Sequence, residues 1–158
     1  MAEPLADGVI RRIGEASGLY YRLVMLVAPP GAGKTAALQD VHERTAAPLV
    51  NVNLELSRRM LDLTERQRAL QVPRLLADLV GASSGDVILL DNIEMLFDVS
   101  LKQDPLRLLE GLSRSRTVVA AWSGTIDAVH LVYATAEHPE YRRYPVRDFL
   151  VVIPEAAA

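Results

Sequence analysis

Leu23-Val24-Met25-Leu26-Val27-Ala28-Pro29-Pro30-Gly31-Ala32-Gly33-Lys34-Thr35 decides how this chain is read. An apolar run of strand length breaks at a Pro/Gly turn, and a helical pattern then opens with Ala36, Ala37, Leu38 and Val41. Strand, loop and helix in that order are the setting a phosphate-binding loop requires.

The residue types fit that task. A ring of backbone N–H groups at a helix N-terminus, aided by the helix dipole, is a compact way to hold several negative charges. Pro29, Pro30, Gly31, Ala32, Gly33, Lys34, Thr35 and Ala36 would form the cradle. Gly31 and Gly33 let the backbone turn without a Cβ in the way. Lys34 adds a positive charge for the β- and γ-phosphates, and the Thr35 hydroxyl can join the shell of a Mg²⁺ ion. Ala28 stands where the strict pattern has its first glycine, a mild departure because the tightest turns come later in the loop.

Working outward, 158 residues, half of them hydrophobic, make one globular domain with its core over about 20–153. A formal net charge of -3 gives no overall basic footprint, so any nucleic-acid contact must come from a local patch or a partner. The chain has no cysteine, which removes disulfides, thiolate metal sites and a cysteine nucleophile. His42, His130 and His138 lack metal-ligand spacing. The start of the chain lacks signal-peptide character and no run of about 18 apolar residues occurs, so a soluble, cytoplasmic protein without membrane contact is expected.

Val9 to Ser17 reads as a short helix ended by Gly18. After the loop helix, Val50, Val52, Leu54 and Leu56 alternate with polar residues, which predicts an edge strand with one wet face. Glu65 to Val80 has helical spacing, with Pro73 a kink or late start, and Gly81 to Gly85 is a turn. Val87-Ile88-Leu89-Leu90 is a continuous apolar run ending at Asp91-Asn92, as in a strand covered on both faces. Pro105 to Leu112 fits a helix, and Thr117 to Trp122 a third buried strand ending at Ser123-Gly124. Gly124 to Pro145 is less regular, Val146 to Ile153 offers a last strand, and Ala156 to Ala158 is a frayed end.

Strands alternating with helices make a three-layer α/β fold. The expectation is a P-loop NTPase of the AAA-like, additional-strand class, with a mainly parallel sheet of about five strands and no lid domain. Asp91, ending an apolar strand beside the P-loop strand, is the Walker B acid that would meet Mg²⁺ opposite Thr35. Asn92 follows it where such ATPases usually carry a glutamate. An amide can orient water and cannot take its proton, so hydrolysis should be slow unless Glu94 substitutes. Glu94 reads equally as a solvated surface residue, and Ser123 as either a γ-phosphate sensor or a turn serine. Arg142 and Arg143 are candidates for an arginine finger aimed at a neighbour's nucleotide, with Arg114 and Arg116 as rivals. Arg58-Arg59 and Arg66/Arg68 have Glu55, Asp62 and Glu65 among them, so a solvated face is the safer reading than a nucleic-acid surface. No Asn-Lys-x-Asp element follows a strand, which favours ATP over GTP by elimination.

Several segments together resemble the BrxF family, the small P-loop proteins of type 3 BREX phage-defence systems. They are Ala28 to Thr35, Val52 to Arg59, Leu89 to Phe97 with Lys102 to Arg107, Leu112 to Trp122 and His138 to Tyr144, and they cover most of residues 20 to 150. The resemblance implies a bacterial cytoplasmic AAA-like core that acts with a large ATPase, a DNA methyltransferase and a PglZ-type protein. It also implies that the Asp91-Asn92 pair belongs to the family pattern. The leading expectation is an ATP- and Mg²⁺-binding module that forms a homo- or hetero-oligomer and hydrolyses slowly, with any DNA contact made through partners. A non-hydrolysing nucleotide-bound scaffold is the alternative. A small-molecule kinase comes last, because no arginine-rich lid insertion is present.

Overall fold

A computed structural model describes residues 3–154. The expected frayed end at Ala156 to Ala158 lies outside them. Among the described residues five α-helices and seven strands follow one another: α1 (Leu5–Ala16), β1 (Leu23–Ala28), α2 (Lys34–Thr45), β2 (Leu49–Asn51), α3 (Val52–Met60), α4 (Glu65–Gly81), β3 (Val87–Asp91), α5 (Pro105–Leu112), β4 (Thr117–Asp127), β5 (His130–Tyr133), β6 (Arg142–Pro145) and β7 (Leu150–Val152).

The parallel strands lie in the order β2-β3-β4-β1-β7, so β1 is flanked by β4 and β7. Because side chains alternate across a strand, each interior strand feeds both faces. Val24 and Leu26 of β1, with Leu89, Val119 and Ala121, pack on α1 and α2. Leu23, Met25 and Val27, with Ile88, Leu90, Val118 and Ala120, pack beneath α3, α4 and α5. Every β1 side chain is buried, as its continuous apolar sequence requires.

Four expectations change. The alternating stretch after Pro48 gives only the short edge strand β2, and Val52 to Met60 is helix. Asn51 caps that helix by accepting from the Leu54 amide, and Val52, Leu56 and Met60, one turn apart, form its buried face. Both periods fit Val52 and Leu56; the cap and Met60 decide for the helix. Second, β4 does not stop at Ser123-Gly124 but runs on to Asp127. Third, the 124–145 stretch, read as less regular, carries an antiparallel ribbon, with Gly124↔Tyr133 and His130↔Pro145 among its pairs and 134–141 as the loop between β5 and β6. Arg142 and Arg143 therefore sit within β6, and the last strand shortens to Leu150–Val152. Fourth, β3 is not beside β1: β4 lies between them and pairs with both.

Elsewhere the local chemistry is as the residue types dictate. Thr64 and Gln67 form a reciprocal capping box at the start of α4, and Pro73 is carried inside that helix. Asp104 caps α5, which has Pro105 in its first turn. No described helix is long and apolar enough to cross a membrane, and among the described residues no helical lid follows β7.

Candidate functional site

The carboxyl ends of β1 and β3 converge with β4 at Ser123, and the chemistry-bearing residues lie there. Gly31 and Gly33 have φ of 79° and 93°, the left-handed region that a side chain would strain. Gly33 is the N-cap of α2 and supplies no side-chain cap, so the first amides of that helix are left for an anion. The Ala32 amide donates to Pro29 O at 3.2 Å and closes the turn.

Lys34 is only 7% exposed. Its Nζ donates to the carbonyl oxygens of Ala28 at 2.8 Å and Pro29 at 2.9 Å, folding the side chain back over its own loop. Burial pushes its amine below the usual lysine range, while the Glu94 and Asp91 carboxylates pull the other way by favouring the charged form. An incoming polyanion would add to that pull.

Thr35 Oγ1 donates to Asp91 Oδ2 at 2.7 Å, and Asp91 Oδ1 accepts from the Asn92 amide at 2.9 Å. A hydroxyl and a carboxylate at this separation are hard oxygen donors suited to Mg²⁺, which takes one or two protein ligands and completes its shell with water and phosphate. The residues present thus fit the ion, and Thr35 and Asp91 would hold it. Among the described residues no group of three or more His, Cys, Asp or Glu side chains is arranged to hold a metal by itself.

Asn92 adopts φ of 52°, a left-handed turn that aims its carbonyl at the Asn53 amide, 2.8 Å away. That turn starts a one-turn 3₁₀ helix, Glu94–Phe97. Glu94 is clamped from two sides: Ser123 Oγ donates to Oε1 at 3.1 Å, and Asn53 Nδ2 reaches Oε2 at 3.5 Å. Asn53 Oδ1 in turn accepts from the Met95 amide at 2.8 Å. Asn53 is the residue that sequence reading missed, because a strand placed it on a wet face. The signal was the Asn51 cap ahead of Val52, Leu56 and Met60.

A cavity of about 270 Å³ gathers Pro30, Gly31, Gly33, Lys34, Thr35, Ala36, Asp91, Asn92, Glu94 and Ser123. A second, of about 390 Å³, adjoins it through Pro30, Glu94 and Ser123 and is walled by the ribbon. Pro29 lines this second cavity.

The arginines are not gathered with these residues. Arg142 donates to Gln103 O at 2.8 Å, whereas Arg143, next along β6, is exposed. Arg114 lies over the Tyr20 ring at 5.1 Å. Arg116 donates to Val80 O and Ser83 O, closing the end of α4. Both precede Thr117, the first residue of β4, whereas Ser123 lies well along that strand.

Residues 24–143 match the family described as ATPase family associated with various cellular activities (AAA). No curated protein matches the chain. The matched region begins in β1 and ends in β6, and so contains the glycine cradle, Lys34, Thr35, Asp91 and Ser123. With β4 set between the P-loop strand and the strand carrying Asp91, this chain belongs to the AAA family of ATPases.

Proposed function

We propose that the chain is an ATP- and Mg²⁺-binding module whose nucleotide state sets its assembly with itself or with partners, and that it turns ATP over slowly. The observation that carries this reading is the pairing of a complete cradle with Asn92 where a carboxylate is usual, next to Glu94 held by Ser123 and Asn53.

In this reading the amides at the start of α2 and the Lys34 ammonium bind the β- and γ-phosphates. Thr35 and Asp91 hold Mg²⁺, which when bound neutralises charge developing on the phosphate oxygens. Glu94 orients an attacking water and accepts its proton, with Asn92 available to position it and Ser123 reporting the γ-phosphate. Turnover is slow because the amide of Asn92, where a carboxylate is usual, cannot take the water's proton, which leaves that task to Glu94 as Ser123 and Asn53 hold it. Of the β6 pair, exposed Arg143 can approach a neighbouring copy without breaking the bond that Arg142 makes to Gln103.

The finer reading is a component of a bacterial BREX anti-phage system acting with a large ATPase, a DNA methyltransferase and a PglZ-type protein. It rests on the resemblance of Val52 to Arg59, Leu89 to Phe97 and His138 to Tyr144 to the BrxF family. Titration of a fluorescent ATP analogue against wild type and Lys34→Ala, with light-scattering mass measured with and without ATP and Mg²⁺, tests the core of it. Equal affinities for both proteins would sink it.

A second reading has its own support. Both Glu94 oxygens are engaged and Asn92 has no proton-accepting carboxylate, which suits a scaffold that holds nucleotide without cleaving it. Phosphate release by wild type and Glu94→Gln separates the two readings, since only an ATPase has a rate to lose.

A further inference from the structure

Gly124 lies outside the left-handed backbone region, so its backbone angle does not explain why a glycine stands there. The space around it does. A Cβ added at this position would lie 2.9 Å from Trp122 Nε1 and closer still to the Val132 carbonyl oxygen. The same carbonyl accepts a hydrogen bond from Trp122 Nε1 at 3.1 Å. The ribbon can therefore fold back over β4 only where residue 124 has no side chain.

The contacts made at this point close a ring around the Ser123–Glu94 hydrogen bond. Gly124 pairs with Tyr133. The Tyr133 ring stacks on Phe97 with centroids 3.5 Å apart, and Phe97 belongs to the same 3₁₀ turn as Glu94. Trp122 meets Phe97 edge-on at 5.0 Å and is covalently next to Ser123. Both ends of the Ser123–Glu94 bond are thus built into one frame, which Trp122 and Gly124 fasten at Val132 O.

We propose that Gly124 and Trp122 are positioning residues that keep the Ser123 hydroxyl on the Glu94 carboxylate, and so set where that carboxylate faces the phosphate cavity. The inference rests on the ATPase reading for its kinetic consequence, though not for its geometry. Displacing an aligned group by a fraction of an ångström costs rate while leaving phosphate contacts intact, because Lys34, Thr35 and the glycine cradle lie on other elements.

Three variants test this: Gly124→Ala, Trp122→Phe, which keeps an aromatic ring and loses the donor, and Thr125→Ala, which keeps the backbone pairing with Val132 and trims an exposed side chain that makes none of these contacts. In a crystal structure of Gly124→Ala the Ser123 Oγ to Glu94 distance should pass beyond hydrogen-bond reach. Phosphate release by Gly124→Ala and Trp122→Phe should fall about tenfold or more, with fluorescent-nucleotide affinity little changed and Thr125→Ala like wild type. If Gly124→Ala keeps that bond at 3.1 Å, or Thr125→Ala slows as much as the other two, the inference is overturned. Should Gly124→Ala not fold, a Trp122→Phe structure with the bond in place overturns it equally. Loss of nucleotide binding in wild type would remove the ATPase reading and leave the structural arm standing, so the two failures are distinguishable.

Discussion

The Thr35 hydroxyl and the Asp91 carboxylate meet at 2.7 Å, joining the first turn of α2 to the end of a strand that is not a neighbour of β1. With β4 between β1 and β3, the two residues face each other at the level of Ser123, which pairs with the last residue of β1. The hydrogen bond marks where Mg²⁺ would be held. Asp91→Asn leaves an acceptor for Thr35 and removes the charge the ion needs. Its ATP affinity should therefore fall about tenfold or more when Mg²⁺ is present and change little in EDTA, in parallel titrations with a fluorescent nucleotide.

Glu94→Gln removes the one carboxylate placed to take a proton in the proposed reaction, while its amide can still contact Ser123 and Asn53. Phosphate release should drop by about a hundredfold with nucleotide affinity almost unchanged. Unaltered release would assign the proton transfer to another group.

Asn92 stands in the left-handed region that asparagine and glycine tolerate and branched residues do not. Asn92→Gly should be nearly neutral in urea unfolding, whereas Asn92→Val should cost about 1–3 kcal/mol. For the same reason Asn92→Glu, which restores the usual acid, should lose stability rather than simply gain turnover.

Leu54 and Leu56 would share one face of a strand but lie on different faces of α3, where Leu56 is fully buried and Leu54 is 46% exposed. Leu56→Ala should cost about 2–5 kcal/mol, and Leu54→Ala should stay within about 0.5 kcal/mol. Equal costs in thermal or urea melts would argue for the strand.

Burial, reinforced by the Glu140 and Glu94 charges, pushes the Tyr133 phenol from 10.0 up to about 12. The folded chain holds this proton more tightly than the unfolded one. The resulting stability is fully present below about pH 10 and is lost as pH rises through about 12. Urea midpoints followed across that range should fall less steeply for Tyr133→Phe than for wild type.

The amino-acid sequence by itself determined the cradle, the β3 run ending in Asp91, and the alternation of strands and helices. Backbone turns, helix starts and two-sided burial are local matters, written in glycines, caps and apolar runs such as Val24 to Val27 and Val87 to Leu90. Tertiary structure alone decided that β4 inserts beside β1, that the ribbon folds back at Gly124, and that Asn53 and Ser123 close on Glu94 from separate elements. Strand order and side-chain pairing depend on contacts between residues far apart in the chain. Even the Val50 to Leu56 pattern, which fits two local periods, took its final form from the Asn51 cap and from the core that Leu56 and Met60 reach.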